Sequence, residues 1–406
     1  MTFKALIDQK ELMEGLRSVK GTVGKKGLAV NGTNTEADVH MEVLMDATSG
    51  ALYLKLVTNN GSEITECRAN ILGGDIGVSP LLEYDKFANI VQTIDEATSI
   101  QLDADEGRLS LNYHGRKKPI MFNGSDPGRF HQIPKLPVQD TVVLPMEVLK
   151  DGVEMASLII KDKATQPLFN CVNVKAENNT VEFSALDTTH NRMLHYTRSI
   201  PTPTQGNFFV ESNKLKKMLS GFDTTKDVTI NVTESNVTLE QEDATLMIRL
   251  INGSFPDVTQ FMKTQYIIQA ELKKSDLLTA LDRAKVLSDM NTALGKSVTL
   301  HVDANSVTID LSSQFGSLYE AVPCVLTGKP TQMTFFFESL YEAVKAVKGE
   351  DLTLAFYSAS NVVLIPSNPT NYTQKLLVQA IRLNAPKPVG QNTVGQGADD
   401  NDTDAD

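Results

Sequence analysis

The side chains best suited to chemistry in this chain are lysines and arginines that recur at helical spacing. Between positions 8 and 27 stand Lys10, Arg17, Lys20, Lys25 and Lys26, interleaved with Leu12, Met13, Leu16 and Val19 at the spacing of one helix face. From 145 to 163, Val148, Leu149, Val153 and Met155 sit beside Lys150, Lys161 and Lys163. Later stretches bring Lys214, Lys216 and Lys217, then Lys273, Lys274, Arg283 and Lys285, then Lys345 and Lys348. Lysine is a mobile point charge that attracts phosphate without reading a base edge. A row of lysines therefore suits sequence-independent attraction to a nucleic-acid backbone. Surface helices of any soluble protein carry lysines; recurrence along the whole chain is what singles these out. The formal net charge is -12, so a positive face has to be local, with the excess carboxylates on the sheets and the C-terminal end.

Catalytic chemistry finds little to work with. The segment Gly21-Thr22-Val23-Gly24-Lys25-Lys26-Gly27 has glycines around lysine, but not the spacing of a phosphate loop nor the Ser or Thr that would follow its lysine to hold magnesium. The 6 histidines are scattered. Cys67, Cys171 and Cys324 are far apart in strand-like apolar surroundings, which fits reduced, buried thiols rather than a zinc site. Asp187 and His190 could orient a base, yet no Gly-X-Ser-X-Gly elbow supplies a nucleophile. The expectation is a protein without catalysis, metal or cofactor.

The lysines need elements that hold them on one side, and an internal repeat supplies these. A short apolar strand, a lysine-bearing amphipathic helix, and strands divided by polar turns recur at 81–122, 208–250 and 334–383. Another unit precedes each copy, opening at Phe3-Lys4-Ala5-Leu6, Thr141-Val142-Val143-Leu144 and Tyr266-Ile267-Ile268-Gln269. The chain thus reads as six half-units in three pairs, an α+β arrangement that can curve into an arc, and two arcs can close a ring. Its 406 residues agree with three domains at roughly 100–200 residues each. No apolar run approaches the roughly 18 residues of a membrane span, and the start, Met1-Thr2-Phe3-Lys4, lacks the long apolar stretch of a signal peptide; a cytoplasmic protein is expected. Residues 385–406 carry Pro, Gly, Gln, Asn and repeated Asp with almost nothing to bury, the composition of a disordered acidic tail. Such a tail is a solvated end, or one that repels stray DNA or competes for a nearby site.

Three segments set on this repeat carry a resemblance. Arg249-Leu250-Ile251-Asn252-Gly253-Ser254-Phe255-Pro256-Asp257, the ending Leu377-Val378-Gln379-Ala380-Ile381-Arg382-Leu383, and Asp187-Thr188-Thr189-His190-Asn191-Arg192-Met193 stand in order along the chain. Together they resemble the bacterial-type β sliding clamps, the beta subunits of DNA polymerase III. The third segment carries inserted residues relative to the family's Asp-Gly/Ser-His-Arg-Leu. The resemblance covers essentially 1–383 and implies three repeated clamp domains, at 1–136, 137–264 and 265–384, followed by the tail. Each would hold two βαβββ-like half-units, with helices lining a ring and antiparallel sheets outside. It further implies a head-to-tail homodimer that a clamp loader closes around duplex DNA. The ring would slide without sequence preference and tether a DNA polymerase through a short linear peptide.

On this reading Lys20, Lys25, Lys26, Lys150, Lys163, Lys214, Lys217 and Lys285 face DNA. Lys25 and Lys26 match the family's basic loop after the first helix, and Lys163 ends the first helix of domain two. The peptide groove between domains two and three would be walled by Phe169, Thr188, His190, Arg192, Met193, Pro256, Gln260, Phe261, Asn361, Leu377, Gln379 and Ile381. Apolar side chains there would bury the peptide's anchors, and a few polar groups would orient it. Gln379 and Ala380 replace an apolar residue and proline, and Gln260 replaces a common arginine. A pocket altered in this way suits a different peptide, such as that of a polymerase encoded by a phage or other mobile element. Ring closure would pair Pro119, Ile120, Met121 and Phe122 with Val286 and Leu287, although these apolar residues could equally face their own core. Two other classes compete. A repetitive adhesion protein would spread its lysines equally over strands and helices, and a clamp-like decoy would bind partners without sliding on DNA.

Overall fold

The structure is a computed structural model that describes residues 3–24, 35–105, 107–130, 136–160, 164–262, 265–288, 292, 296–358 and 361–381. Lys25, Lys26 and Lys163 lie outside the described residues, as does the tail. Among the described residues, six helices follow the repeat: α1 (Gln9–Val19), α2 (Tyr84–Gln92), α3 (Met146–Ile159), α4 (Ser212–Met218), α5 (Lys274–Leu287) and α6 (Phe337–Ala346). Isolated helices of this length are marginal in water, so packing of their apolar faces has to hold them. α1 buries Leu12, Met13, Leu16 and Val19, and α5 buries Leu277, Ala280, Leu281 and Ala284. Two helices carry glycine where they meet a sheet. A Cβ on Gly15 would stand 2.7 Å from Leu56, and one on Gly152 would stand 2.3 Å from the Phe183 ring. Only a missing side chain lets α1 and α3 lie that close.

The described strands form four antiparallel sheets. Two of them ignore the domain boundaries expected from the repeat. The strand Ala244–Arg249 pairs with Glu63–Asn70, with Leu246 opposite Thr65 and Met247 opposite Ile64. The strand Tyr372–Gln379 pairs with the start of Arg192–Glu211, with Leu377 opposite Met193. Sheet hydrogen bonding thus runs unbroken across two seams, first to second unit and second to third. The helices form a matching row: α2 packs on α1, α1 on the turn Leu219–Gly221 that extends α4, α4 on α3, α3 on α6, and α6 on α5. Helices therefore make one layer and sheets the other, as the α+β reading expects.

One half-unit departs from βαβββ. After α3 the chain makes a single long hairpin, Cys171–Asp187 with Arg192–Glu211, whose register shifts between Asn178 and Thr180. Its second strand closes one half-unit and opens the next without a break. Asn178 takes a left-handed φ of 56° at this bulge, a conformation that Asn tolerates better than most residues.

Candidate functional site

Lys20, Lys150, Lys217 and Lys285 are all exposed on or beside the helix row. The Lys285 ammonium lies 4.6 Å from the centre of the Tyr341 ring, and that of Lys345 lies 5.4 Å from it. The row is mixed in charge: Glu14, Glu147, Glu154 and Asp282 are exposed on the same helices. The carboxylates are therefore not confined to the sheets, and the field over the row is weaker than the lysine pattern alone suggests.

Two lysines of the row span seams. Lys214 Nζ is 3.1 Å from Glu63 Oε1 across the first seam and 3.0 Å from Glu211 Oε2 of its own unit. Lys348 Nζ is 2.5 Å from Asp151 Oδ1 and 3.0 Å from the Tyr196 hydroxyl across the second. Asp151 Oδ2 also accepts from Arg198 at 2.6 Å and from the Tyr196 hydroxyl. Burial would raise the Asp151 carboxyl, but Lys348, Tyr196 and Arg198 outweigh it and hold it below its ordinary value. Gln374 completes the junction: its Oε1 accepts the Lys348 backbone N–H and its Nε2 donates to the Ala346 carbonyl, both at 2.8 Å.

On the outer side of the second seam, Met262, Val363 and Leu377 form a buried apolar cluster, with Met193, Tyr266 and Ile365 packed against it. Met193 and Leu377 were expected there. Met262, Tyr266, Val363 and Ile365 were not, and the sequence signal that could have found them is strand alternation after Asn361 together with the apolar step after Phe261. Phe261 is 49% exposed beside this floor, while Pro256 and Asn361 are half-buried and Gln260 and Gln379 exposed. Phe169 lies half-buried in the short turn Pro167–Asn170, and Ile381 donates its backbone N–H to Thr334 O at 2.8 Å.

Asp187 builds the neighbouring loop. Its Oδ1 accepts the backbone N–H groups of Thr189 and His190, both at 3.0 Å, and its Oδ2 lies 2.8 Å from His190 Nδ1 and from an Arg192 guanidinium nitrogen. Arg192 is fully buried and donates to the Ile159 carbonyl at 2.7 Å. Burial pushes the Asp187 carboxyl up, and the bonds from Arg192 and His190 bring it below its ordinary value. Arg192 thus braces the loop from beneath, and Thr188 stands exposed on its surface.

The ends of the array are open. Ile120–Asn123 is an edge strand of its sheet and Gly316–Pro323 an edge strand of another. Within the first, Ile120 and Phe122 turn toward their own core, Phe122 meeting Phe87 edge-on at 5.3 Å, while Met121 is exposed and so is Pro119. At the other end Val286 is 81% and Tyr319 71% exposed, whereas Leu287 packs partly on its own core.

Comparison with known proteins identifies this assembly of parts. The family model "DNA polymerase III beta subunit, central domain" matches residues 143–257, and that family's C-terminal domain model matches 262–380, together more than half of the chain. The chain belongs to the DNA polymerase III beta subunit family. The Beta sliding clamp of Bacillus subtilis is 21% identical over 359 residues, covering 87% of this chain and 89% of that protein. That of Synechococcus elongatus is 23% identical over 301 residues, covering 73% and 79%. Among solved structures, the DnaN sliding clamp of Pseudomonas aeruginosa superposes with a TM-score of 0.83 at 14% identity, covering 94% of this chain and all of that one. The DNA polymerase III beta subunit of Thermotoga maritima gives 0.80 at 15%, covering 94% and 100%. At such identities the structural matches establish the clamp fold. In this beta subunit the helix row and the two hydrogen-bonded seams are the features that the fold brings together.

Proposed function

We propose that this chain is a DNA sliding clamp, closed as a head-to-tail homodimer around duplex DNA and tethering a DNA polymerase. The observation that carries the reading is a pairing rule. At both seams the last strand of one unit's first half pairs with the last strand of the next unit's second half: Glu63–Asn70 with Ala244–Arg249, and Arg192–Glu211 with Tyr372–Gln379. One strand of each kind is left at an edge, Gly316–Pro323 in the third unit and Ile120–Asn123 in the first. A second copy would satisfy both by the same rule. It would also bring α5 of one copy beside α2 of the other, the two ends of the helix row. Bare strand edges invite pairing with another chain, and exposed Met121, Val286 and Tyr319 give that pairing an apolar lining.

The reading takes the domain limits 1–136, 137–264 and 265–384; the central-domain model matches 143–257, and the C-terminal model matches 262–380, beginning three residues before the third limit. It assigns DNA the exposed Lys20, Lys150, Lys217 and Lys285, and a partner's short peptide the groove over Met193, Met262, Val363 and Leu377. Loading by a dedicated clamp loader belongs to the same reading. Encirclement needs only weak phosphate contacts, since tight ones would arrest sliding, and a row of mixed charge supplies that. The role is to hold other enzymes on DNA, with no catalysis of its own.

The test is retention on circular DNA. After loading onto a nicked plasmid and a high-salt wash, the protein should stay on the circle and leave when the plasmid is linearised. Loss from circles and linear DNA alike as salt rises would mean ordinary electrostatic binding and would sink the proposal.

A further inference from the structure

The two seams are built from the same parts. Each is crossed by a linker that opens Asn-Gly-Ser, at Asn123-Gly124-Ser125 and at Asn252-Gly253-Ser254. An aspartate then caps a short 3-10 turn: Asp126 accepts the Gly128 N–H and Asp257 the Thr259 N–H, each at 2.9 Å. A phenylalanine stands at the same step after each cap, Phe130 and Phe261. Beneath the linkers the paired residues also correspond, Ile64 opposite Met247 at the first seam and Met193 opposite Leu377 at the second.

The seams differ in what the phenylalanine does. Phe261 is 49% exposed, and Phe130 only 9%. Phe130 is buried with Val57, Ile64, Leu81 and Met247. Its ring stacks on His40 with centroids 5.0 Å apart and planes inclined by 14°. His40 is 4% exposed, and among the described residues neither of its ring nitrogens has a hydrogen-bond partner. Burial holds its imidazole below the ordinary pKa, so the ring offers Phe130 a neutral, flat face. A histidine with both nitrogens unsatisfied is costly to bury, and here its visible use is as one wall of an aromatic slot.

We propose that the first seam is a second copy of the peptide groove, occupied by the chain's own Phe130, and that without this ring it takes the aromatic side chain of a peptide. The inference goes beyond sliding, since it requires neither DNA nor a second subunit. One groove per chain is then open to partners, and the other is a staple that fixes the first unit on the second.

The experiment uses the full chain with Phe130→Ala and two probes, toluene and N-acetylphenylalanine amide, read by melting temperature and by the His40 ring resonances. A cavity lined mainly by apolar side chains and the flat face of an imidazole has the shape and surface to accept a matching aromatic hydrocarbon. Phe130→Ala should melt lower than the parent. Both probes should raise its melting temperature and shift the His40 resonances, and neither should affect the parent at that site. Binding of toluene alone would mean a sealed cavity and would overturn the docking proposal. A folded variant indifferent to both probes would overturn the slot altogether. Should Phe130→Ala fail to fold, Phe130→Val leaves a smaller cavity and is read by the same resonances and the same criteria.

Discussion

At the scale of single residues, the chain's buried polar groups set its response to acid, and they do so in two windows. The Asp187 carboxyl is held below its ordinary 3.8 because, although burial raises it, the bonds from Arg192 and His190 win. A carboxyl with a depressed folded-state value stabilises fully above the unfolded value, and that stabilisation disappears as pH falls through the folded one. Removing the carboxylate by Asp187→Ala strands a fully buried guanidinium. Breaking a buried pair in this way costs about 3–5 kcal/mol, so chemical denaturation of the variant should show a loss of that order, and a loss under 1 kcal/mol would be inconsistent with the pairing. His40 acts at higher pH. Its folded value lies below 6.5 through burial, with Glu42 raising it and Lys55 lowering it by smaller amounts. The unfolded chain therefore binds the proton first, and stability is lost as pH falls below about 6.5. Across that window the melting temperature of His40→Gln should fall less steeply than the parent's. Parallel curves would show that His40 does not titrate differently on folding. Neither role was legible beforehand. Asp187 stood out as the start of a resemblance segment and as a possible partner of a base, not as a buried ion-pair partner, and His40 not at all, because burial is a property of the folded neighbourhood and a lone His carries no periodic signal.

At the scale of elements, the helices were legible and the seams were not. Apolar residues at helical spacing located α1 and α3, and the repeat supplied the rest. The sequence of a strand, by contrast, does not say which neighbour it will pair with. Nothing in Glu63–Asn70 or Ala244–Arg249 read alone announces that they join across a domain boundary. The repeat likewise opens a copy at 208, inside what is one continuous strand, Arg192–Glu211. In the candidate groove, Met193 and Leu377 were found through motifs, whereas Met262 and Val363 needed the fold. The helix contacts make a sharp prediction at Gly152. Alanine there gains about 1 kcal/mol of helix propensity, yet its Cβ would lie 2.3 Å from the Phe183 ring, itself fully buried. Overpacking of this kind costs typically 1–3 kcal/mol, so Gly152→Ala should destabilise on balance; a stabilised variant would mean that α3 can ride away from its sheet. The Lys348 junction makes another. Lys348→Met removes the ammonium that joins Asp151 and Tyr196 across the second seam. Amide exchange should accelerate in Tyr372–Gln379 and in α6 while Ala244–Arg249 at the first seam stays protected. Equal acceleration at both seams would point to global destabilisation instead.

At the scale of the whole molecule, the repeat gives one chain two different ends, and the difference decides how copies can meet. Identical ends would join face to face and stop at a two-fold contact of one patch with itself. Complementary ends join head to tail, and such a contact closes only if the arc of each copy fits the number of copies. Here the two internal seams already define the step from one unit to the next, and a third seam of the same kind would continue it between copies. That seam would draw on the backbone of Ile120–Asn123 and Gly316–Pro323, which mutation of side chains leaves in place. The sensitive points are therefore the exposed apolar groups around it, Tyr319 and Val286 above all. A lysine on an edge strand is a recognised way to keep strands apart. Tyr319→Lys combined with Val286→Glu places charge on both while touching no buried residue, so the fold of each chain should survive. By light scattering the parent should run at twice the mass of one chain and the double variant at the mass of one, with circular dichroism and melting behaviour close to the parent's. The same variant should lose retention on nicked circles while its weak, salt-sensitive attraction to DNA through the exposed lysines of the row persists. A double variant that remains dimeric would move the third seam away from these strands. One that is monomeric yet still retained on circles would separate retention from ring closure.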